Sequence, residues 1–60
     1  MKHKDVLQTL SEAGFTFKDG GKHTKAYDTN GIFKTTIPRH NEINEWTAGD
    51  IEKQTGVKFK

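Results

Sequence analysis

The amino-acid sequence predicts an α+β fold of order α-β-β-β-α, with two helices on one face of a three-stranded antiparallel sheet. Three observations support it: apolar residues recur at helical spacing near the start of the chain, three short β-type runs follow, and a capped helical segment lies near the end. A chain of 60 residues is expected to form one domain, residues 1–60, with a small core and a sheet that is open on its other face.

The first helix is predicted over residues 3–13, where apolar side chains recur at helical spacing. These side chains belong to Val6, Leu7, Leu10 and Ala13. Gly14 is well placed to end the helix, because glycine readily adopts the conformation that follows a helix C-terminus. Residues 15–18 then alternate between phenylalanine and other residues, which predicts a short strand with both phenylalanines facing inward. We expect Asp19-Gly20-Gly21 to end this strand.

Two further strands are predicted over residues 23–28 and 32–37, separated by a turn that contains Asn30-Gly31. Asn-Gly is a strong signal for a tight hairpin, because both residues tolerate a positive φ. If these two residues form the turn, the strands pair as Thr29–Ile32, Asp28–Phe33, Ala26–Thr35 and Thr24–Ile37. A three-residue loop would change this pairing, and a β-bulge would rotate His23 relative to the other residues.

The predicted register assigns side chains to the two faces of the sheet. Phe33 and Ile37 are expected to face the helices, since they are large apolar side chains on one side of the third strand. The opposite face, called the open face, is then predicted to carry His23, Lys25, Tyr27, Lys34 and Thr36.

Pro38 is expected to end the third strand, and a polar connection follows it. The second helix is predicted to begin with Thr47 as its N-cap, because Asp50 follows three residues later in a variant of the capping box. Trp46, the residue before this cap, is expected to pack onto the following turn. Gly56 is expected to end the helix. The residues expected to pack back against the helix end are Val57 and Phe59.

The composition narrows the classes of function. The absence of cysteine excludes disulfides and thiolate metal sites and fits a reducing compartment, so a cytoplasmic location is expected. No apolar run approaches the ~20 residues of a membrane span, so we expect no membrane partner. Residues 1–40 hold seven basic residues against four acidic ones. This excess suits a polyanionic partner such as nucleic acid, although it is also typical of a solvated surface.

Motifs for several enzyme classes are absent from the sequence. The single serine, Ser11, falls inside the first predicted helix, and no glycine-rich segment has the spacing of a phosphate-binding or dinucleotide-binding loop. The three histidines, His3, His23 and His40, are far apart in the sequence, and no two of them have metal-binding spacing. We therefore predict neither a metal site nor a cofactor.

His23 lies between lysines at the start of a predicted strand. Imidazole titrates near neutral pH and can move a proton in a transition state, and neighbouring ammonium groups favour its neutral form. RNA suits such a site, because its 2′-OH is an internal nucleophile and the protein has to supply only proton transfer and charge stabilisation. Contacts to RNA are predicted for Lys22, Lys25, Tyr27, Lys34, Arg39 and His40. The tyrosine ring is available to stack on an unpaired base.

Simpler explanations exist for these residues. A histidine on a basic strand is often only a polar surface residue, and Lys22 and Lys25 are expected to face solvent in any case. Tyr27 can serve only to shield the open face, and the polarity of a loop explains His40 equally well. The residues alone therefore leave three hypotheses open: a ribonuclease, a non-catalytic RNA-binding module, and a domain that docks a partner protein.

Four segments in order carry a family resemblance: MKHKDVLQTLSEAGF, GGKHTKAY, TTIPRHNEI and TAGDIEKQTGV. The first resembles the opening helix and Gly-aromatic pair of the HicA family, the mRNA interferase toxins of bacterial toxin-antitoxin modules. The second resembles the Gly-x-His segment of that family, the third its last strand with a Pro-x-His exit, and the fourth its closing helix. Together the segments cover nearly all of the chain.

This resemblance implies a fold like that of double-stranded-RNA-binding domains and metal-independent cleavage of mRNA by one catalytic histidine, a role that falls on His23. It implies a bacterial, cytoplasmic toxin that arrests growth until a HicB-like antitoxin neutralises it, and we expect that antitoxin to mask the face with His23. The sequence departs from the family at Trp46, where glycine is frequent, and at Gly49-Asp50, where basic residues are common. We therefore do not expect the second helix to offer the usual positive charge to RNA.

Overall fold

The computed structural model describes residues 1–59 and confirms the predicted α-β-β-β-α order. Its elements are α1 (His3–Glu12), β1 (Thr16–Gly20), β2 (His23–Tyr27), β3 (Phe33–Pro38) and α2 (Glu45–Thr55). The three strands form one antiparallel sheet in the order β1-β2-β3. Each strand therefore pairs with its neighbour along the chain through a short hairpin connection.

One apolar core joins both helices to a single face of the sheet. Its fully buried large side chains are Leu10, Ile37, Ile51 and Val6. Phe15, Ala26 and Ile43 complete the cluster, and Phe17, Val57 and Phe59 are among the partly buried residues that pack against it. Burial of one such large side chain stabilises the fold by about 1.5–3 kcal/mol. The inward orientation predicted for the two phenylalanines of the first strand is therefore confirmed, as is the packing of the chain beyond α2.

β1 continues through Asp19 and Gly20, although the sequence predicts that these residues end the strand. That expectation is wrong because Gly20 pairs directly with His23, so that only Gly21 and Lys22 remain to form the turn. Gly21 adopts a φ of 82°, and its N–H donates to Asp19 Oδ1 at 2.9 Å. Glycine is also required at position 20, since a Cβ there would lie 2.8 Å from the His23 carbonyl oxygen. This tight hairpin determines where His23 begins β2.

The hairpin between β2 and β3 has a three-residue loop, residues 29–31, instead of the predicted two-residue turn. The Asp28 N–H donates to the Ile32 carbonyl at 2.9 Å and closes the loop. Asp28 Oδ1 accepts hydrogen bonds from the N–H groups of Asn30 and Ile32, both at 2.9 Å. The predicted Thr29–Ile32 pair is therefore wrong, because Thr29 lies within the loop.

A β-bulge in β3 offsets the longer loop. Tyr27 pairs with Phe33 and the register shifts immediately beyond this pair, so Lys34 is the extra residue. The predicted Asp28–Phe33 pair is wrong for this reason. On the far side of the bulge, the two remaining predicted pairs are confirmed: Ala26–Thr35 and Thr24–Ile37.

The bulge also reverses the predicted orientation of Phe33. Because Phe33 pairs with Tyr27, it lies on the open face, and it is 49% exposed. Thr35 faces the core instead and is only 4% exposed, whereas Ile37 is buried against the helices as predicted. The physical reason is that an extra residue interrupts the regular alternation of side chains between the two faces of a strand.

α2 begins at Glu45, earlier than predicted. Asn44 is the N-cap, and its side chain accepts a hydrogen bond from the Thr47 N–H at 2.8 Å. The predicted N-cap, Thr47, therefore lies inside the first turn, and Trp46 is 86% exposed instead of packed onto the following turn. Asparagine caps a helix at least as well as threonine, so the earlier polar residue takes this position. Gly56 ends the helix as predicted, with a φ of 74°.

Candidate nucleic-acid interface

The open face of the sheet carries three cross-strand rows of outward-facing residues. The rows are Gly20–His23–Pro38, Lys18–Lys25–Thr36 and Thr16–Tyr27–Phe33. Successive rows are about 7 Å apart, since two residues of a strand span twice the rise of about 3.3 Å. A ligand that lies along β2 would therefore contact a histidine row, a lysine row and an aromatic row in that order.

His23 is exposed at one end of the open face. Its cross-strand neighbours are Gly20 in β1 and Pro38 in β3, and neither has a polar side chain that would cover the imidazole. The salt bridges found within residues 1–59 involve the N-terminus, Lys34 and Arg39, and none involves His23. The ring is thus accessible to a ligand from solvent.

Lys18 and Lys25 face each other across β1 and β2, in the row next to His23. Both are exposed. The stem of Lys25 passes beside Gly20, in the histidine row, so its charge lies toward that end of the open face. Lys18 was not among the predicted site residues. A signal for it exists, because a strand that turns Phe17 inward turns the next residue outward.

The third row brings two aromatic rings together. The ring centroids of Tyr27 and Phe33 are 5.8 Å apart, and the ring planes meet at 71° in an edge-to-face arrangement. Lys18 Nζ lies over the Tyr27 ring, 5.3 Å from its centroid, at a distance typical of a cation–π interaction. The sequence does not predict Phe33 at this site, because its outward orientation depends on the bulge.

Lys34 is paired with a carboxylate of the same hairpin. Its Nζ lies 3.7 Å from Asp28 Oδ2. The hydrogen bond from the Ile32 N–H holds the pKa of Asp28 below its ordinary value, and the Asn30 N–H and the Lys34 ammonium lower it further. Asp28 therefore stays ionised and offsets the charge of Lys34. Lys34 is the extra residue of the bulge and does not belong to the row of Lys18 and Lys25.

Arg39 lies on the side of the sheet opposite His23. Its guanidinium donates to Asp19 Oδ1 and, at 3.4 Å, to Thr24 Oγ1. Asp19 and Thr24 pair with each other in the register that alternates with the outward rows. The Gly21 N–H is the main cause that holds the pKa of Asp19 below its ordinary value, and the Arg39 guanidinium adds to it. The structure thus separates Arg39 from the open face.

Lys22 and His40 lie at the same end of the sheet as His23. Lys22 is in the turn immediately before it, and His40 follows Pro38, which pairs with His23. Both are exposed. Of the predicted site residues, the structure therefore gathers Lys22, His23 and Lys25 together, with His40 at the border.

Lys22, His23 and Lys25 form a group of side chains that suits proton transfer at a phosphate. An exposed imidazole can accept or donate a proton, and ammonium groups beside it stabilise negative charge on a phosphate. Within residues 1–59, no three His, Asp or Glu side chains come together in a group that could hold a metal ion. In the same range, neither helix is long and apolar enough to cross a bilayer.

Comparisons with known proteins identify the family. A family model described as "HicA toxin of bacterial toxin-antitoxin" matches residues 3–57, a range that includes both helices, all three strands and the open face. Comparisons with curated proteins and with solved structures gave no match. The resemblance inferred from the four sequence segments is thus confirmed over nearly the whole 60-residue chain. The chain belongs to the HicA family, the toxins of bacterial toxin-antitoxin systems.

Proposed function

We propose that this toxin is an endoribonuclease that cuts mRNA without a metal ion, with His23 as its single catalytic residue. The observation that carries the proposal is the exposed imidazole of His23 at the end of the open face, one row from the opposed Lys18 and Lys25. Membership of a toxin family supports it, because destruction of mRNA stops translation and growth.

The proposed reaction is an attack of the RNA 2′-OH on the adjacent phosphate. A bond forms between the 2′-oxygen and phosphorus, and the bond from phosphorus to the 5′-oxygen breaks. The 2′-OH loses a proton and the leaving 5′-oxygen gains one, so the products end in a 2′,3′-cyclic phosphate and a 5′-hydroxyl. His23 takes the first proton or gives the second. Because the nucleophile belongs to the substrate, no metal ion is required to generate it.

The cationic residues have binding roles in this proposal. Lys22 and Lys25 stabilise the charge that develops on the phosphate beside His23, and His40 contacts a neighbouring phosphate at the border of the site. Tyr27 contributes to binding of a base. For Arg39 and Lys34 to contact RNA, each must exchange its carboxylate partner, Asp19 or Asp28, for a phosphate.

The antitoxin partner in this proposal is a HicB-like protein that masks the open face. The support is that the helices pack against the other side of the sheet, which leaves the face with His23 accessible to a second protein. An antitoxin that covers this face would exclude RNA from His23 and silence the toxin.

The proposed function is tested by substitution of His23. We expect the purified wild-type protein to cleave single-stranded RNA in the presence of a chelator, and His23→Ala to lower the rate by about 10²-fold or more, as loss of a general acid or base does. RNA with a 2′-deoxy sugar at the cut site should resist cleavage. The matched control is Gln54→Ala, an exposed position on α2, which should cut at the wild-type rate. Wild-type cleavage by a folded His23→Ala protein would refute the catalytic role.

A second candidate function is a non-catalytic RNA-binding module on the same fold. The observation that favours it is that none of the salt bridges within residues 1–59 orients His23, whereas catalytic histidines are commonly held by a partner. On this alternative, RNA remains intact during prolonged incubation with the wild-type protein, and His23→Ala binds RNA with unchanged, salt-dependent affinity.

A further inference from the structure

We propose that Phe33, supported by Tyr27, is the stacking site for one unpaired base of the bound RNA, so that the RNA strand runs along β2 from the aromatic row to His23. This inference rests on the proposed function for the class of ligand, single-stranded RNA. It adds a binding residue that the sequence predicts to be in the core.

The exposure of Phe33 is the first observation. Phe33 is 49% exposed, and only two other large apolar side chains within residues 1–59, Ile32 and Trp46, are more exposed. The bulge at Lys34 turns it out of the core, while the smaller and polar Thr35 is buried in its place. A fold that buries a threonine and exposes a phenylalanine forgoes apolar burial, and a ligand that covers the ring would restore it.

The arrangement of the two rings determines which of them is available for stacking. Tyr27 is partly buried, and Lys18 Nζ lies over its ring at 5.3 Å from the centroid. Phe33 meets Tyr27 edge to face rather than in a parallel stack, at an angle of 71°. The lysine therefore occupies the position above Tyr27 that a base would need, and Phe33 offers the more exposed ring. Tyr27 supports Phe33 from the side.

The order of the rows matches the chemistry of a single RNA strand. His23 and Tyr27 are on the same face of β2, and four residues of a strand span about 13 Å. Lys18 and Lys25 lie between them. A strand that stacks one base on Phe33 would therefore pass phosphates over the two lysines before it reaches His23. Proteins that bind single strands commonly combine such aromatic stacking sites with a cationic path for the backbone.

The charge around the ring favours RNA over an apolar protein segment as its ligand. The row next to the aromatic row holds Lys18 and Lys25, and Lys18 Nζ lies 5.3 Å from the centroid of the Tyr27 ring. Covering these ammonium groups with an apolar protein surface would cost desolvation energy without a counter-charge, whereas RNA supplies a phosphate for them together with the base.

The test measures binding of a labelled single-stranded RNA of about eight nucleotides to the full chain in the His23→Ala background, by fluorescence anisotropy. We expect Phe33→Ala and Phe33→Leu each to weaken binding by about tenfold, because leucine keeps the apolar bulk but not the flat ring. Phe33→Tyr should bind within about twofold of the unsubstituted protein. Circular dichroism and thermal unfolding would verify that each variant is folded.

Two matched controls show whether weaker RNA binding results from the loss of a stacking ring on the open face or from the loss of any exposed apolar side chain. Ile32 is the neighbouring exposed apolar residue, and Trp46 is an exposed aromatic residue on α2. Ile32→Ala and Trp46→Ala should leave the affinity within about twofold. If either control weakens binding as much as Phe33→Ala does, the assignment of the stacking site to Phe33 is wrong.

A scan with abasic nucleotides supplies a second measurement. Removing the base that stacks on Phe33 should weaken binding to the parent protein at one position of the oligonucleotide, and the same removal should have little further effect on Phe33→Ala. Equal sensitivity of both proteins at every position would overturn the proposal.

The outcomes also distinguish this inference from the proposed function. If the wild-type protein cuts RNA and the Phe33 variants bind and cut normally, only the stacking site is refuted. If the chain neither binds nor cuts RNA, the proposed function fails and the stacking site fails with it. If Phe33→Ala leaves RNA binding unchanged and abolishes binding of the antitoxin, the ring is a protein contact and the inference is wrong.

Discussion

Two glycines determine the position of His23. Gly20 lets the β2 backbone approach β1, where any larger residue would meet the His23 carbonyl oxygen, and Gly21 supplies the positive φ of the turn. His23 therefore starts β2 beside a residue that has no side chain. The same residue deeper in the sheet would lie between longer neighbours, as Lys25 does between Lys18 and Thr36.

Asp28 organises the second hairpin through its backbone and its side chain. Its carboxylate accepts two backbone N–H groups of the loop and pairs with Lys34, and its carbonyl accepts the Gly31 N–H at 2.9 Å. This network holds the three-residue loop. The loop length in turn pairs Tyr27 with Phe33, so one aspartate indirectly sets the orientation of the aromatic row.

We predict that Asp28→Asn lowers the free energy of unfolding at neutral pH. Because the native contacts lower the pKa of Asp28, the stability that its ionised form adds is fully present above the unfolded-state pKa. It is lost as the pH falls through the lower native pKa. The deficit of Asp28→Asn should therefore shrink on acidification. Urea unfolding at a series of pH values measures it, and a deficit that is equal at neutral and acid pH would contradict the prediction.

At the scale of elements, periodicity and turn residues predict which segments are helices and strands. The apolar spacing of α1, the alternation of Phe15 and Phe17 and the Asn-Gly signal each led to an element that the structure confirms. The details that failed were decided by hydrogen bonds between residues close in sequence. Asp28 accepts N–H groups that a two-residue turn would not present to it, and Asn44 lies one turn earlier than the predicted cap.

We predict that Asn44→Ala lowers the free energy of unfolding by about 1 kcal/mol, the typical effect of removing an N-cap side chain. Thr47→Ala should have a much smaller effect, because the hydrogen bond uses the Thr47 backbone N–H, which alanine retains. Urea unfolding of the two variants compares them directly. If Thr47→Ala lowers the free energy of unfolding more than Asn44→Ala does, the prediction is wrong and Thr47 is the effective N-cap.

In the molecule as a whole, the helices cover one side of the sheet and leave the other side open. The core lies between α1, α2 and the inward residues of the strands. The open face carries a histidine, two opposed lysines and two aromatic rings. A chain of this size has little room for a deep cleft, so a ligand that binds here must extend over a surface, as RNA or a partner protein does.

We predict that the antitoxin protects the open face in the toxin-antitoxin complex. Acetylation of lysines followed by mass spectrometry should show reduced modification of Lys18 and Lys25 when the antitoxin is bound. Lys53, which is exposed on α2, is the internal control and should react as in the free toxin. Protection of Lys53 with unchanged reactivity of the open-face lysines would instead place the antitoxin on α2.

The candidate site is only partly predictable from the sequence, because some of its side-chain orientations and contacts depend on how separate strands pair. His23, Lys25 and Tyr27 were assigned correctly to one face, because alternation within a single strand needs no knowledge of its partners. Lys18 could have been assigned to that face in the same way. Phe33 could not, since its orientation depends on a bulge. The ion pair of Arg39 with Asp19 could not be predicted either, because the pairing of separate strands brings these two residues together.

Local patterns in the sequence are enough to predict the order of the elements, the apolar residues of the helices, the turn glycines and the position of a histidine at the start of a strand. These features depend on interactions over a few residues, which periodicity and turn chemistry record. The tertiary structure was needed for the register between the loop and the bulge, the outward orientation of Phe33 and the pairing of Lys18 with Lys25. These depend on hydrogen bonds and pairing between strands, where an offset of one residue moves a side chain from one face to the other.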